Sequence, residues 1–298
     1  MKRALVTGAA GFIGSHIVDE LLSMGVQVVA IDNESAECHD NFYWNSQAEN
    51  HKIDICDYNS ILPLFEGVDT VFHLAAESRI QPSIINPLLA VKVNAYGTCS
   101  ALQAAHVNNA RRFIYSSTSS AYGTSNPTPQ VEDMPRDCLT PYAVSKACGE
   151  ELCKMYYNLY GLQTISFRYF NVYGERQPLK GQYAPVIGLF MRQVENGQPC
   201  TIVGDGLQRR DYTHVSDVVR ANILAAQTED SEALGQLYNV GTGTNYNIHD
   251  LVNMLDGQHT FIDARPGEVR ETLADTTKIK RLLNWEPKIH LEQWIKKV

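Results

Sequence analysis

The sequence lacks several patterns that would assign a function class at once. Its seven cysteines include no CxxC pair and its nine histidines no HExxH motif, so we expect neither a disulfide framework nor a metal site. No apolar run approaches the roughly 20 residues of a membrane span, and the first apolar strand starts at once, leaving no room for a signal peptide. With 25 basic and 33 acidic residues, the chain lacks the basic excess typical of nucleic-acid binding. These absences predict a cytoplasmic protein without a nucleic-acid or membrane partner.

What the first half does contain is an alternation of short apolar runs and helical patterns. Strands are predicted at 3–6, 27–31, 69–73, 113–116 and 164–167, and helices near 13–23, 88–106 and 141–159. This order predicts an α/β fold, a Rossmann-type doubly wound parallel sheet with a smaller C-terminal α/β substrate lobe. We expect a sheet domain at 1–170, with returning pieces near 216–242, and the lobe at 171–298.

A glycine-rich turn follows the first strand, with Gly8, Gly11 and Gly14 in a GxxGxxG spacing. Such a turn lets the backbone approach a phosphate and aims free N–H groups of the next helix at it. Asp32 ends the second strand and is placed to accept hydrogen bonds from a ribose, while Asp54 is placed near an adenine edge. No Arg or Lys directly follows Asp32 to accept a 2′-phosphate, so we predict NAD rather than NADP.

Tyr142 has a lysine four residues on, Lys146, so the two side chains share one helix face. A phenol with an ordinary pKa near 10 is a poor base at neutral pH. An adjacent ammonium and a nicotinium cation would lower that pKa and favour proton transfer. An isolated YxxxK is more often an exposed helix pair, but this one follows a dinucleotide turn.

Together these motifs, with "HLAAES", "VNAYGT" and the serine-rich run 116–120, make the sequence resemble the extended short-chain dehydrogenase/reductase family. The segments "RYFNVYGERQ", "GDGLQRRDYTHVSDVV" and "RPGEV" are similar to its nucleotide-sugar branch, particularly the UDP-sugar 4-epimerases. The resemblance implies NAD as cofactor, a UDP-sugar as substrate and a homodimer formed by the helices near 88–106 and 143–159.

The resemblance also implies roles for individual residues. Tyr142 would be the acid/base, Lys146 its helper and Thr118 the hydroxyl that bonds the sugar oxygen. Beside the glycines and acids above, it places along the cofactor Phe12, Ile13, Asn33, Ile55, Leu74, Ala75, Ala76, Asn94, Ser116, Ser117, Tyr142, Lys146 and Tyr169. It places against the substrate Thr118, Ser119, Tyr142, Asn171, Arg210 and Arg265, with the two arginines on the diphosphate.

The run of five hydroxyls favours one reaction within this branch. Related dehydratases carry an acid after the key threonine, since eliminating water needs an acid and a base, whereas here Thr118 is followed by Ser119 and Ser120. We therefore expect an isomerase, an NAD-dependent 4-epimerase that works through a transient 4-keto sugar. The resemblance places the small Thr272 near a position where a bulky residue restricts some family members to non-acetylated hexoses. It therefore favours UDP-N-acetylglucosamine or its galacto epimer, with UDP-glucose/UDP-galactose and a UDP-uronic acid left open. The alternatives are a dehydratase or other oxidoreductase of the family, and a non-catalytic nucleotide-sensing protein.

Overall fold

A parallel seven-stranded sheet is the centre of the computed structural model, which describes residues 1–36, 41–179, 185–264 and 269–297. The strand order within these residues is β11-β6-β5-β4-β1-β2-β3. The sheet consists of β1 (Arg3–Thr7), β2 (Gln27–Asp32), β3 (Glu49–Lys52), β4 (Thr70–His73), β5 (Arg112–Thr118), β6 (Gln163–Tyr169) and β11 (Gln236–Val240). The order reverses between β1 and β4, and ligands of such folds bind outside the carboxyl ends of the strands at this point. The predicted fold class is confirmed.

Two layers of helices cover the sheet because its strands are apolar on both faces. Along β1, Ala4 and Val6 pack into one core cluster and Leu5 into the other, as the two-residue period of a strand requires. The helices are α1 (Phe12–Ser23), α2 (Tyr58–Ile61), α3 (Ile80–Ile85), α4 (Pro87–Val91), α5 (Thr98–Val107), α6 (Pro141–Tyr160), α7 (Val186–Glu195), α8 (Val215–Gln227), α9 (Ile248–Met254), α10 (Thr277–Leu283) and α11 (Leu291–Ile295). Across the described ranges, no helix is both long and apolar enough to cross a membrane.

The residues after β6 build a third core and then return to the sheet. Short strands β7 (Val172–Tyr173), β8 (Cys200–Val203), β9 (Arg209–Asp211), β10 (Thr213–His214), β12 (Asn245–Asn247) and β13 (His259–Ile262) pair two by two. Phe190, Ile202, Leu251 and Trp294 pack together beneath them. From here α8 packs against α1, and β11 pairs with β6.

Three local features differ from the sequence-based predictions. Strand β3 was not predicted because its residues, Glu49–Lys52, are polar, as suits an edge strand that pairs only with β2. The helix predicted near 88–106 is interrupted by a π-helical turn at Lys92–Gly97. Strand β5 continues to Thr118, two residues beyond the predicted end, so three of the five hydroxyls lie within the strand.

Candidate active site

A cavity of about 260 Å³ opens at the carboxyl ends of the strands, where the sheet order reverses. The predicted cofactor residues that line it are Gly8, Gly11, Phe12, Ile13, Gly14, Asp32, Asn33, Asp54, Ile55, Leu74, Ala75, Ala76, Ser116, Ser117, Tyr142, Lys146 and Tyr169. We call it the cofactor cavity. It brings together residues of β2, β5, β6, α1 and α6 and of the segments that follow β1 and β4, which are far apart in the sequence.

The glycine turn at the mouth of this cavity has no room for side chains. Gly8 has φ +67°, and a Cβ there would lie 2.7 Å from the Ala75 nitrogen. A Cβ on Gly14 would lie 2.0 Å from the Gly8 carbonyl oxygen. The turn therefore holds the first turn of α1 close to β4, which leaves the N-terminus of α1 facing the cavity.

Asp32 is held in place by two backbone donors at the end of β2. Its carboxylate accepts hydrogen bonds from Ala10 N at 3.1 Å and from Glu34 N at 2.8 Å. Burial raises the pKa of Asp32, and the hydrogen bonds from Glu34 and Ala10 oppose that rise. Lys52 on β3 lies opposite Asp32 in the sheet, and its ammonium is paired with Glu34. The arrangement suits a ribose diol better than a phosphate monoester.

Asn94 is the one predicted cofactor residue that the structure places away from the cavity wall. Its side chain is fully buried, accepts from Glu77 N at 2.8 Å and donates to Glu77 O at 3.0 Å and to Ser145 Oγ at 3.0 Å. These bonds use both ends of the amide. Asn94 thus fixes the segment that follows β4 against α6, and its contact with the cofactor stays a prediction.

The first turn of α6 presents Tyr142 to the cofactor cavity. Thr140 caps the helix by accepting from Ala143 N at 3.2 Å, and Pro141 occupies the first helical position. The Thr118 hydroxyl at the end of β5 lies near enough to the Tyr142 phenol to lower its pKa. Burial raises the pKa of Tyr142, and the Thr118 hydroxyl and the charge of Arg79 oppose the rise. The sequence-based prediction of a lowered Tyr142 pKa depends partly on the charge of a bound nicotinium ring, so it stays a prediction.

Lys146 lies one turn further along α6 and is 3% exposed. Its ammonium lies 4.5 Å from the centroid of the Tyr115 ring. Burial lowers the pKa of Lys146 to about 7. Burial therefore disfavours the charged form of Lys146, and an anion or hydroxyl groups bound beside it would stabilise the ammonium.

Two further cavities, of about 390 and 310 Å³, continue from Tyr142 toward the C-terminal residues. They share Ser119, Asn171 and Tyr212, and we call them together the sugar cavity. Thr118 lines its inner part and Arg210 its outer part. The predicted Arg265 lies outside the described residues.

Asn171 and Thr272 form one wall of the sugar cavity. The Asn171 amide donates to Asp211 O at 2.8 Å and to the Thr272 hydroxyl at 3.3 Å. The buried Asp211 carboxylate in turn accepts from Thr242 N, Gly243 N and Ala274 N at 2.8, 2.9 and 3.1 Å. Strand β9 is thereby tied to the loops on both sides, which fixes where Arg210 leaves the strand.

Several residues that line the cavities were not predicted from the sequence. Ser78, Arg79 and Gln81 lie between the end of β4 and the first turn of α3 and line the inner sugar cavity, and Phe190 and Tyr212 line its outer part. The signal for the first three was their position beyond the carboxyl end of a parallel strand, the same signal that identified the hydroxyls at the carboxyl end of β5. Within the described part of the chain, no group of three or more His, Cys, Asp or Glu side chains is arranged to hold a metal.

Known proteins with similar sequences and structures share this architecture over the whole chain. The sequence profile of the GDP-mannose 4,6 dehydratase family matches residues 5–298. UDP-glucose 4-epimerase of Mycolicibacterium smegmatis is 36% identical over 307 residues, covering 99% of this chain and 96% of that protein. UDP-glucose 4-epimerase of Thermotoga maritima, solved with UDP-glucose, superimposes with a TM-score of 0.93 at 35% identity, covering 99% of this chain and 96% of that one.

A second solved structure contains the dinucleotide. UDP-glucose 4-epimerase of Thermus thermophilus, in complex with NAD, superimposes with a TM-score of 0.89 at 30% identity, covering 99% of this chain and 96% of that one. The profile match, the identities and the parallel sheet with its glycine turn agree. The chain belongs to the GDP-mannose 4,6-dehydratase family of extended short-chain dehydrogenases/reductases.

Proposed function

We propose that this protein is an NAD-dependent UDP-sugar 4-epimerase. The observation that carries the proposal is the placement of Tyr142 and Thr118: both line the inner sugar cavity, and Tyr142 also lines the cofactor cavity. A sugar hydroxyl in the inner sugar cavity would face both side chains. The relatives solved with UDP-glucose and with NAD support the same assignment.

The cofactor cavity fits NAD. The glycine turn leaves a cradle that a single Cβ would fill at Gly8 or Gly14, and Asp32 offers a carboxylate to a ribose. NAD bound there would supply the acceptor for the hydride from C4 of the sugar and the donor that returns it. Asp32 and the neighbouring Glu34 oppose a 2′-phosphate by charge, which supports NAD over NADP.

The protein's own part in the reaction is proton transfer and positioning. Tyr142 removes the proton from the sugar 4-hydroxyl, and Thr118 holds the same oxygen through its hydroxyl. Lys146, one helical turn away, stabilises the phenolate when it carries its proton. Tyr142 returns the proton after the 4-keto sugar has turned its other face, so the net reaction inverts C4.

The groups that line the sugar cavity support epimerisation over elimination of water. Among its described residues, the polar side chains carry hydroxyl, amide or guanidinium groups, and none carries a carboxylate. Loss of water across C5–C6 needs an acid and a base beyond Tyr142. Arg210 in the outer part is suited to the diphosphate, so the nucleotide end is held by charge and the sugar end by neutral groups.

The proposal is tested by incubating the purified protein with UDP-N-acetylglucosamine, UDP-glucose and UDP-glucuronate and separating products by chromatography with mass detection. We expect a new peak of unchanged mass that co-elutes with the 4-epimer of at least one of them. The Tyr142→Phe variant should bind NAD and lose this activity. A product lighter by one water, or full activity of the variant, would refute the epimerase.

Two helices support a homodimer as the assembled form. Apolar side chains on α6 and on the helical stretch before it face outward: Leu88 is 83% exposed, Leu159 67%, Tyr96 53% and Val144 52%. A second copy would bury the same face of both chains in a two-fold interface. The charge-inserting variant Leu159→Glu should halve the mass measured by light scattering.

The described cysteines are free thiols, which supports a reducing compartment such as the cytoplasm.

A further inference from the structure

Glu150 is a buried carboxylate on α6 that the mechanism above does not use. It lies one turn beyond Lys146 and two turns beyond Tyr142, and it is 4% exposed. A carboxylate is rarely buried so deeply unless its charge is paired. Its partners therefore determine what it does.

Two arginines hold this carboxylate in one orientation. Arg168 on β6 donates from Nε to Oε1 at 2.9 Å and from Nη2 to Oε2 at 2.8 Å. Arg136 donates from Nε and Nη2 to Oε2 at 3.1 and 3.0 Å. Burial by itself would raise the pKa of Glu150, but the hydrogen bonds and charge of Arg168, with help from Ser117 and Arg136, hold it below its usual value. Glu150 is therefore ionised and can only accept hydrogen bonds.

The remaining donor to Glu150 comes from the active site. Ser117 Oγ donates to Glu150 Oε1 at 2.6 Å. A serine hydroxyl has one proton and two lone pairs, and here the proton is committed to a buried carboxylate. Ser117 also lines both the cofactor cavity and the sugar cavity. Toward a ligand, its oxygen therefore presents lone pairs and no proton.

The neighbouring hydroxyls are not fixed in this way. Ser116 Oγ and the Tyr169 hydroxyl lie 3.1 Å apart, and either can donate to the other. Thr118 accepts from Ser120 N at 3.1 Å and keeps its proton for Tyr142 or a sugar oxygen. Ser117 differs from both in having a charged acceptor behind it.

We propose that Glu150 is a positioning residue that fixes the Ser117 hydroxyl as an obligate hydrogen-bond acceptor where the two cavities meet. The ligand group opposite Ser117 is then a donor, an N–H or O–H of the dinucleotide or of the sugar. This inference rests on the proposed function for its ligands. The part of the test that measures NAD binding needs no substrate, so it gives a result even if the protein turns over no UDP-sugar.

The test is a double-mutant cycle with Ser117→Ala, Glu150→Gln and the double variant. The amide of Glu150→Gln can donate to Ser117, which would turn the hydroxyl proton toward the ligand. The dissociation constant for NAD is measured by calorimetry on protein stripped of cofactor, and KM and kcat are measured for the UDP-sugar that is turned over. Each single variant should weaken binding of one of these ligands about tenfold, the size of one hydrogen bond. The double variant should be no weaker than Ser117→Ala, because Glu150 acts through Ser117.

The proposal would be overturned if, for both ligands, the loss of affinity in the double variant equalled the product of the losses in the two single variants. It would also be overturned if the Glu150→Gln variant bound both ligands as the wild type does. Glu151→Gln is the matched control: Glu151 pairs with Arg136 at 2.6 Å and is exposed, so it should leave both ligands unaffected. If Glu150→Gln does not fold, Glu150→Asp replaces it in the cycle. The aspartate keeps the charge for the arginines and draws the carboxylate back from Ser117, so the same pattern of coupling is expected.

Discussion

Replacing the buried Lys146 by methionine should make the NAD-free protein more stable while abolishing its activity. Lys146 is 3% exposed, and burial lowers its pKa from 10.5 to about 7. At about 1.4 kcal/mol per pH unit, this depression corresponds to a cost of about 5 kcal/mol in the free energy of unfolding. Methionine is close to lysine in length and needs no partner for a charge, so Lys146→Met should recover several kcal/mol of this.

The dependence of this gain on pH follows from where the proton sits. Below about pH 7 the lysine is protonated in both states, so the cost is complete and constant. Between pH 7 and 10.5 the unfolded chain keeps the proton and the native protein has lost it, so the wild type gains stability as pH rises. The difference in the free energy of unfolding between Lys146→Met and the wild type should therefore be largest at or below pH 7 and should decrease toward zero as the pH approaches 10.5.

Urea unfolding at half-unit steps from pH 6 to 10 measures this difference directly. Lys154→Met is the matched control, since Lys154 lies on the same helix and is exposed. It should leave the free energy of unfolding nearly unchanged at every pH. A Lys146→Met variant that equals the wild type across the whole range would refute the reasoning, because it would mean that the buried ammonium costs nothing.

The remaining predictions concern the two ligand cavities. Gly14→Ala should reduce NAD affinity more than tenfold by calorimetry, because its Cβ would lie 2.0 Å from Gly8 O and force the turn open; wild-type affinity would show that the turn can yield. Thr272→Tyr should lower kcat/KM for UDP-N-acetylglucosamine about tenfold more than for UDP-glucose in a competition assay, because it fills the wall of the sugar cavity. An equal loss for both sugars would show that Thr272 does not select the substituent.

The parts of the site that could be predicted from the sequence are those where backbone geometry or a fixed spacing determines which residue is needed. Gly8 and Gly14 are needed because any Cβ would meet the backbone of the turn or of β4, and this leaves a direct trace in the sequence. Tyr142 and Lys146 share a helix face because four residues make about one turn. Their positions could be inferred without knowing any tertiary contact.

The parts that could not be predicted depend on which way a side chain turns. Asn94 is on a segment next to the cofactor cavity, but its amide is taken up by Glu77 and Ser145. Arg79 reaches the sugar cavity from a segment whose sequence, "ESRIQPS", shows neither strand nor helix periodicity. Strand β3 has no apolar alternation because its partner, β2, lies on one side only. In each case a long-range contact decides the final placement of the residue, and the local apolar periodicity does not specify that contact.

The position of β11 beside β6 has a consequence for synthesis of the chain. The two strands are neighbours in the sheet, yet all residues from 170 to 235 are made between them. Until Gln236–Val240 leaves the ribosome, β6 has an unpaired edge that carries Ile165 and Phe167, and an open apolar edge invites pairing with other chains. A nascent or truncated chain that stops before residue 236 should therefore depend on chaperones and aggregate without them, although its glycine turn, Tyr142 and Lys146 are all complete.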